Sequence, residues 1–212
     1  MEEQPPKLLP KPKNSLLNNL INLDTNLSLR IHQTFQPIPR SLLRLLEISG
    51  DGRFWVPIPI ALFFSLSSKS DHLKTLFIGL FAGIILDLLL VGLIKFTIKR
   101  PRPVYNKGMH LTVAVDHWSF PSGHSSRVCF IGSYLYFSIE SIVDAFGKLG
   151  DVGLGSEGRI VKYFVLVVCF WSMLTSMSRV LLGRHFVFDV IAGAFLGVLN
   201  ALFVFRLMYN IG

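Results

Sequence analysis

The sequence predicts an all-α, polytopic bundle of membrane-spanning helices, on three observations. Hydrophobic residues make up 51% of the 212-residue chain and charged residues only 16%, where soluble domains carry about 25% charged residues. The apolar residues are gathered into long runs separated by short polar stretches. Two of those runs carry a Gly-x-x-x-Gly spacing, Gly79/Gly83 and Gly193/Gly197, which lets transmembrane helices approach closely. This composition excludes a disordered chain, a collagen-like fibre and a disulfide scaffold. It holds more apolar surface than one small soluble core can hide.

Residues 1–13, with Pro5, Pro6, Pro10 and Pro12, read as a disordered tail with no apolar signal-peptide core. Residues 14–49 read as an amphipathic interfacial segment. Leu16, Leu17, Leu20, Ile21, Leu23, Leu27, Leu29, Ile31 and Phe35 recur at helical spacing among Asn, Asp and Arg, too polar a mixture to cross a bilayer. Pro37 and Pro39 stop that helix, residues 40–48 form a second short amphipathic piece, and Gly50-Asp51-Gly52 is a turn.

The transmembrane domain is assigned to residues 50–212. Five spans are expected: A over 54–66, broken by Pro57 and Pro59; B over 73–94; C over 127–142; D over 161–177; and E over 186–208. A sixth would have to come from the N-terminal amphipathic stretch. Five crossings put the end of B, the start of C, the end of D and the start of E on one face. Cys129 and Cys169 lie inside apolar runs and are expected to be small buried hydrophobes.

The net charge is +8. The basic residues fall between the apolar runs rather than along one polar face. That argues against nucleic acid as a partner and for anionic lipid headgroups or a phosphorylated substrate.

The chemistry-bearing residues collect at those four helix ends. Between B and C run Lys95 to Pro103; at the start of C, Ser119 to Arg127; between D and E, Ser178 to Asp189. Two histidines, several cations and one Asp meet there, with no Cys/His zinc spacing and no carboxylate cluster for magnesium. Cations without acidic metal ligands suggest an anionic ligand. Arg matches phosphate with a planar fork, and Lys adds a point charge. Ser122 and Gly123 can add a hydroxyl and a backbone N–H at a helix start.

His185 and Asp189 stand at i, i+4 and are expected to share one helical face, the carboxylate fixing the imidazole tautomer so that the other nitrogen can attack. His124, from a different helix, can protonate a leaving oxygen. Together these describe a two-step phosphoryl transfer through a phosphohistidine, with the cations stabilising the transition state.

Lys-x6-Arg-Pro (Lys95 to Pro103), Pro-Ser-Gly-His (121–124) and Ser-Arg-x5-His-x3-Asp (178–189) together resemble the three-part signature of the type 2 phosphatidic acid phosphatase superfamily. The resemblance covers about residues 40–208. The turn before a short span and the compact size look like the branch containing presqualene diphosphate phosphatase and plant lipid phosphate phosphatase beta. The resemblance implies His185 as nucleophile, His124 as general acid and Asp189 as partner of His185. It implies Lys95, Arg102, Ser122, Gly123 and Arg179 as phosphate-binding residues, and no metal or cofactor.

The expected activity is therefore removal of phosphate from a membrane lipid, an isoprenoid diphosphate or a phosphatidate-type lipid. A lipid phosphotransferase is the alternative enzyme. A non-catalytic transporter or scaffold is the alternative of another class, and it would be expected to have lost His124, His185 or Asp189. The expected setting is the endoplasmic reticulum membrane with the site facing the cytosol, because 15 of the 21 basic residues fall on the motif-bearing side.

Outside the motifs, His32, His72, His110 and His117 are expected to be ordinary interface or core residues. Lys99, Arg100, Lys107 and Arg184 are read as interfacial anchors or secondary headgroup contacts. Arg127, one turn after His124, is placed at the site rim. Asp87, an ionisable residue inside span B, is a functional candidate by default. Its expected partner is a hydrogen bond within the bundle, since Lys95 lies roughly 12 Å further along the axis.

Overall fold

The structure, a computed structural model, describes residues 15–66, 70–105, 117–147 and 154–211. The tail predicted over 1–13, and Lys107 and His110, lie outside the described residues.

Helix α1 (Ser15–Thr34) and helix α2 (Arg40–Ser49) are separated by the expected break at Pro37 and Pro39. In α1, Leu16, Leu17, Leu20, Ile21, Leu23 and Leu27 face outward, while Asp24, Ser28 and His32 are buried. The polar stripe, spaced i, i+4, i+8, faces the protein and the apolar face looks away, as suits a helix lying in lipid.

The turn at 50–52 leads through α3 (Gly52–Trp55) to α4 (Pro57–Leu66). At 1.5 Å per residue α4 is about 15 Å long, roughly half the hydrocarbon core. Span A is therefore too short to cross by itself. α5 (Asp71–Ile98) is the first long span and extends span B at both ends. It stops where Lys99 turns left-handed (φ 52°) and donates its N–H to the Lys95 carbonyl, before Pro101.

Span C is realised as two helices, α6 (Gly123–Phe137) and α7 (Ile139–Gly147), bent by 61° at Ser138. Spans D and E are α8 (Leu154–Leu181) and α9 (Val187–Ile211). Among the described residues three helices are long and apolar enough to cross alone, and α6 with α7 make a fourth when counted together. The expectation of five to six spans thus rests on elements that do not cross unaided. α5, the α6–α7 pair, α8 and α9 still bring their motif-bearing ends to one end of the bundle, where α1 and α2 also lie.

α6 is the central helix. A Cβ on Gly193 or Gly197 of α9 would overlap the carbonyl oxygens of Ser122 and Ser126, and one on Gly79 or Gly83 of α5 would overlap the rings of Tyr134 and Phe130. Both glycine pairs thus allow the close helix contacts expected of them. The apolar core, which includes Leu73, Phe77, Ile131, Ile142, Val165 and Val204, fills the end of the bundle away from the motifs.

Candidate active site

Three segments are folded against one another at the polar end. The stretch after α5 pairs with the stretch before α6, through the Pro101–Trp118 bridge and a Ser119 N–H to Arg100 carbonyl bond of 2.7 Å. That brings Arg100 and Arg102 beside Ser119. Ser122 caps α6, its hydroxyl accepting from the Ser125 N–H, and its own N–H donates to the Asp189 carbonyl at 2.9 Å. After α8 the chain turns at Gly183, where a positive φ of 73° suits glycine. The His185 N–H then returns to the Arg179 carbonyl.

His185 is buried. Its Nδ1 donates to the Ser119 carbonyl at 2.8 Å, and its Nε2 lies 3.2 Å from an Arg102 nitrogen that also donates to the Arg184 carbonyl. With Nδ1–H committed to a carbonyl, Nε2 carries the lone pair. Burial, then the charges of Arg102, Arg179 and Lys95, hold the imidazole well below its usual 6.5, against the opposing pull of the Ser119 carbonyl. The ring is therefore neutral at pH 7 and surrounded by cations.

The expected approach of Asp189 to His185 is present, at 3.7 Å, but not through a shared helical face and not as a hydrogen bond. His185 precedes α9, which begins at Val187, so helical spacing does not apply to it. Its Nδ1 is 3.7 Å from Asp189 and 2.8 Å from the Ser119 carbonyl. The oxygens of Asp189 are engaged elsewhere. Oδ1 accepts from Arg100 at 2.6 Å; Oδ2 accepts the Ser119 hydroxyl and, at 2.9 Å, the Phe186 N–H. Asp189 thus grips Ser119 by its hydroxyl while the carbonyl of the same residue orients His185. Ser119 is the link the spacing argument missed.

His124 sits in the first turn of α6, its Nε2 buried without a hydrogen-bond partner among the described residues. Gly50 packs close to its ring. Arg179 is fully buried and gives one nitrogen to Glu47 of α2 at 2.7 Å, while its Nε and other terminal nitrogen are buried without hydrogen-bond partners among the described residues. Unmatched donors of this kind beside a neutral histidine are chemically suited to an anion with several oxygens. Lys95 is buried in the last turn of α5, Arg102 is half-buried, and Ser122 and Gly123 lie at the start of α6.

Residues 76–212 match the PAP2 superfamily. That region holds all three motifs. The chain belongs to the PAP2 superfamily.

Across 94% of its length this PAP2 protein is 37% identical to a protein of Arabidopsis thaliana described as a probable lipid phosphate phosphatase beta, covering 95% of that protein. It is 27% identical to a PA-phosphatase related-family protein of Dictyostelium discoideum, over 89% of this chain and 68% of that one. Two solved structures share the fold. A transmembrane PAP2-type phosphatidylglycerolphosphate phosphatase from Bacillus subtilis superposes with a TM-score of 0.68 at 23% identity, over 92% of this chain and 89% of its own. Aquifex aeolicus LpxE superposes with a TM-score of 0.55 at 22% identity, over 87% and 95%.

Around the PAP2 site lie charged residues that the motifs do not name. Glu47 contacts both Arg179 and Arg184, the latter at 3.2 Å. Burial raises the Glu47 carboxyl, but the two guanidiniums outweigh it and hold the group below its usual 4.5. Asp87 accepts from the Ser126 hydroxyl and lies 3.9 Å from Arg127, which also donates to the Gly50 carbonyl. The within-bundle partner expected for Asp87 is present, and Arg127 is a buried tie rather than a rim residue. His32 hydrogen-bonds the Leu181 carbonyl and stacks on Tyr105, an ordinary core role. Among the described residues no group of three His, Cys, Asp or Glu is placed to hold a metal ion. Asp24, Ser28 and Glu47 all lie outside the matched region. For the first two, the polar stripe on an otherwise apolar helix was the available signal.

Proposed function

We propose that this PAP2 protein is an integral membrane lipid phosphatase acting through a phosphohistidine on His185. The observation that carries this is the fixed, neutral His185 with Nε2 directed at Arg102, within a cluster that includes Lys95 and Arg179. Before phosphate binds, burial, then the charges of Arg179 and Arg127, favour neutral His124, and a bound phosphate anion favours its charged form. The Nε2 lone pair of His185 attacks phosphorus, and the bond to the leaving oxygen breaks as that oxygen takes a proton from the charged His124. His124, now a base, takes a proton from water, whose oxygen attacks the phosphorus. Inorganic phosphate leaves and both histidines return to their starting state. Lys95, Arg102, Arg179 and the Ser122–Gly123 helix start stabilise charge on the phosphoryl oxygens.

The substrate class follows from position. The polar end of an otherwise lipid-facing bundle suits a phosphate or diphosphate on an apolar tail that stays in the bilayer, such as an isoprenoid diphosphate or a phosphatidate. The site is assigned to the cytosolic side of the endoplasmic reticulum membrane. Leaving out Lys95, Arg102 and Arg179, the motif-bearing side keeps 12 basic residues against 6. A protease-sensitive tag in the 103–118 loop should be cleaved from outside sealed microsomes; its protection would reverse the orientation.

The deciding assay is phosphate release from a panel of isoprenoid diphosphates, phosphatidate, lysophosphatidate and sphingosine phosphate in detergent, with and without EDTA. Release that survives EDTA and is inhibited by vanadate, which imitates five-coordinate phosphorus, is the expected result. A magnesium requirement persisting after control for substrate aggregation would contradict it. An added alcohol acceptor that collects the phosphate in place of water would identify a phosphotransferase.

A further inference from the structure

Asp24 comes from the N-terminal helix, 76 residues from Arg100 and 164 from Phe188. It is nonetheless fully buried beside the motif residues. Its Oδ2 accepts from Arg100 at 2.7 Å and its Oδ1 accepts the Phe188 N–H at 3.0 Å. Ser28, one turn on, accepts the Val187 N–H at 2.9 Å. α1 thus caps the start of α9 from outside that helix, satisfying donors that every helix start leaves open. Arg100 is the bridge. One terminal nitrogen holds Asp24 and the other holds Asp189 at 2.6 Å, while its plane lies over the Phe186 ring, 4.2 Å from the centroid. Three partners leave this guanidinium little freedom to turn.

The chain of contacts continues without a gap: Asp24 to Arg100, Arg100 to Asp189, Asp189 to the Ser119 hydroxyl, and the Ser119 carbonyl to His185 Nδ1. A carboxylate that loses one side of its cage can rotate, and the nitrogen it orients at one remove then leaves its line of attack. We infer that Asp24 and Arg100 are positioning residues for His185, so that the membrane-lying helix α1 completes the catalytic site from outside the matched PAP2 region. This rests on the reading of His185 as nucleophile.

The experiment compares Asp24→Asn, Arg100→Lys, the double variant, Ser28→Ala and His185→Ala, each full-length in detergent, with kcat and KM on one lipid phosphate. Asp24→Asn keeps an acceptor for Phe188 but loses the charge that holds Arg100. Arg100→Lys leaves the sequence of α1 and its contacts to Val187 and Phe188 in place but cannot span two carboxylates. Each should lower kcat roughly 10- to 100-fold, the scale of losing an orienting outer partner, with KM within about twofold. The double variant should be no worse than the poorer single, because both cut one chain. Ser28→Ala removes the Val187 acceptor and a 3.4 Å contact to Asp24 Oδ1 but leaves the Asp24–Arg100 pair, and should lower kcat by about threefold, less than Asp24→Asn does. Wild-type kcat in both Asp24→Asn and Arg100→Lys, multiplying losses in the double, a loss confined to KM, or an equal loss in Ser28→Ala would each overturn the inference. Should Asp24→Asn fail to fold, Arg100→Lys decides alone. Retained phosphoenzyme in His185→Ala would instead sink the underlying reading.

Discussion

At the end of the bundle built from Leu73, Phe77, Ile142, Val161 and Val204, burial sets apolar side chain against apolar side chain; at the other end the fully buried side chains include Arg179, His185 and Asp189. Helices in lipid gain little from hiding apolar groups, so the first end is held by close fit, as where Phe130 and Tyr134 seat against Gly83 and Gly79. The second end is held by charge: Arg100 between two aspartates, Arg179 and Arg184 on Glu47, Arg127 near Asp87. Such networks return little net stability for the desolvation they cost. Under the proposed function their yield is orientation: Arg179 is aimed before a phosphate arrives, and Arg100 holds Asp189 in place.

If that contrast is right, changes at the charged end should damage turnover and changes at the apolar end should damage stability. The largest effect is expected for His185→Ala. It should lower kcat by roughly 10,000-fold or more, the scale seen when a nucleophile is removed, and abolish the acid-labile phosphoenzyme, with a melting temperature close to wild type. Quench-flow with labelled substrate reads it, and normal phosphoenzyme would end the assignment. Next come Arg102→Lys and Arg179→Lys, where a point charge replaces a fork. About 2–4 kcal/mol of transition-state stabilisation should be lost, measured as kcat/KM. Near-wild-type values in both would remove these arginines from the phosphate shell.

The apolar end supplies the converse. Leu80 of α5 is buried in that core, and Leu80→Ala should cost about 2–5 kcal/mol of stability, read by thermal or denaturant unfolding in detergent, with kcat per folded molecule within about twofold. A large kcat loss without destabilisation would blur the division. The smallest effect belongs to Glu47. Its carboxyl is depressed in the fold, so its contribution is complete above the unfolded value of 4.5 and is lost as pH falls through the lower folded value. Glu47→Gln should therefore flatten the loss of stability below about pH 4.5. An unchanged acid limb in stability scans would show that the Arg179 and Arg184 contacts add nothing there.

Much of this site could be read before folding was considered. Lys95, Arg102, Pro121 to His124, Arg179, His185 and Asp189 fall at helix ends that parity alone assigns to one side, and the structure gathers them there. Helical spacing overstates the His185–Asp189 contact, because His185 lies two residues before α9 begins and the pair stands at 3.7 Å. Ser119 went unassigned since it contributes through its carbonyl as well as its hydroxyl, and a backbone oxygen has no residue signature. Asp24 and Glu47 have, in sequence, the character of ordinary polar residues of an interfacial segment. Arg100 reads as an anchor, because nothing near it in sequence reveals two buried carboxylates.

The sequence by itself determined which segments are helical, which face of α1 is apolar, which residue types meet at the polar end, and the family. Those follow from periodicity and from motifs only a few residues long. The tertiary structure alone decided which carboxylate holds which arginine, that Ser119 rather than Asp189 directly orients His185, and that an N-terminal helix caps α9. These pairings join residues 66 to 164 positions apart. A contact at that separation leaves no periodicity in the chain; it exists only once buried charges, unable to reach water, have found each other in the packed bundle.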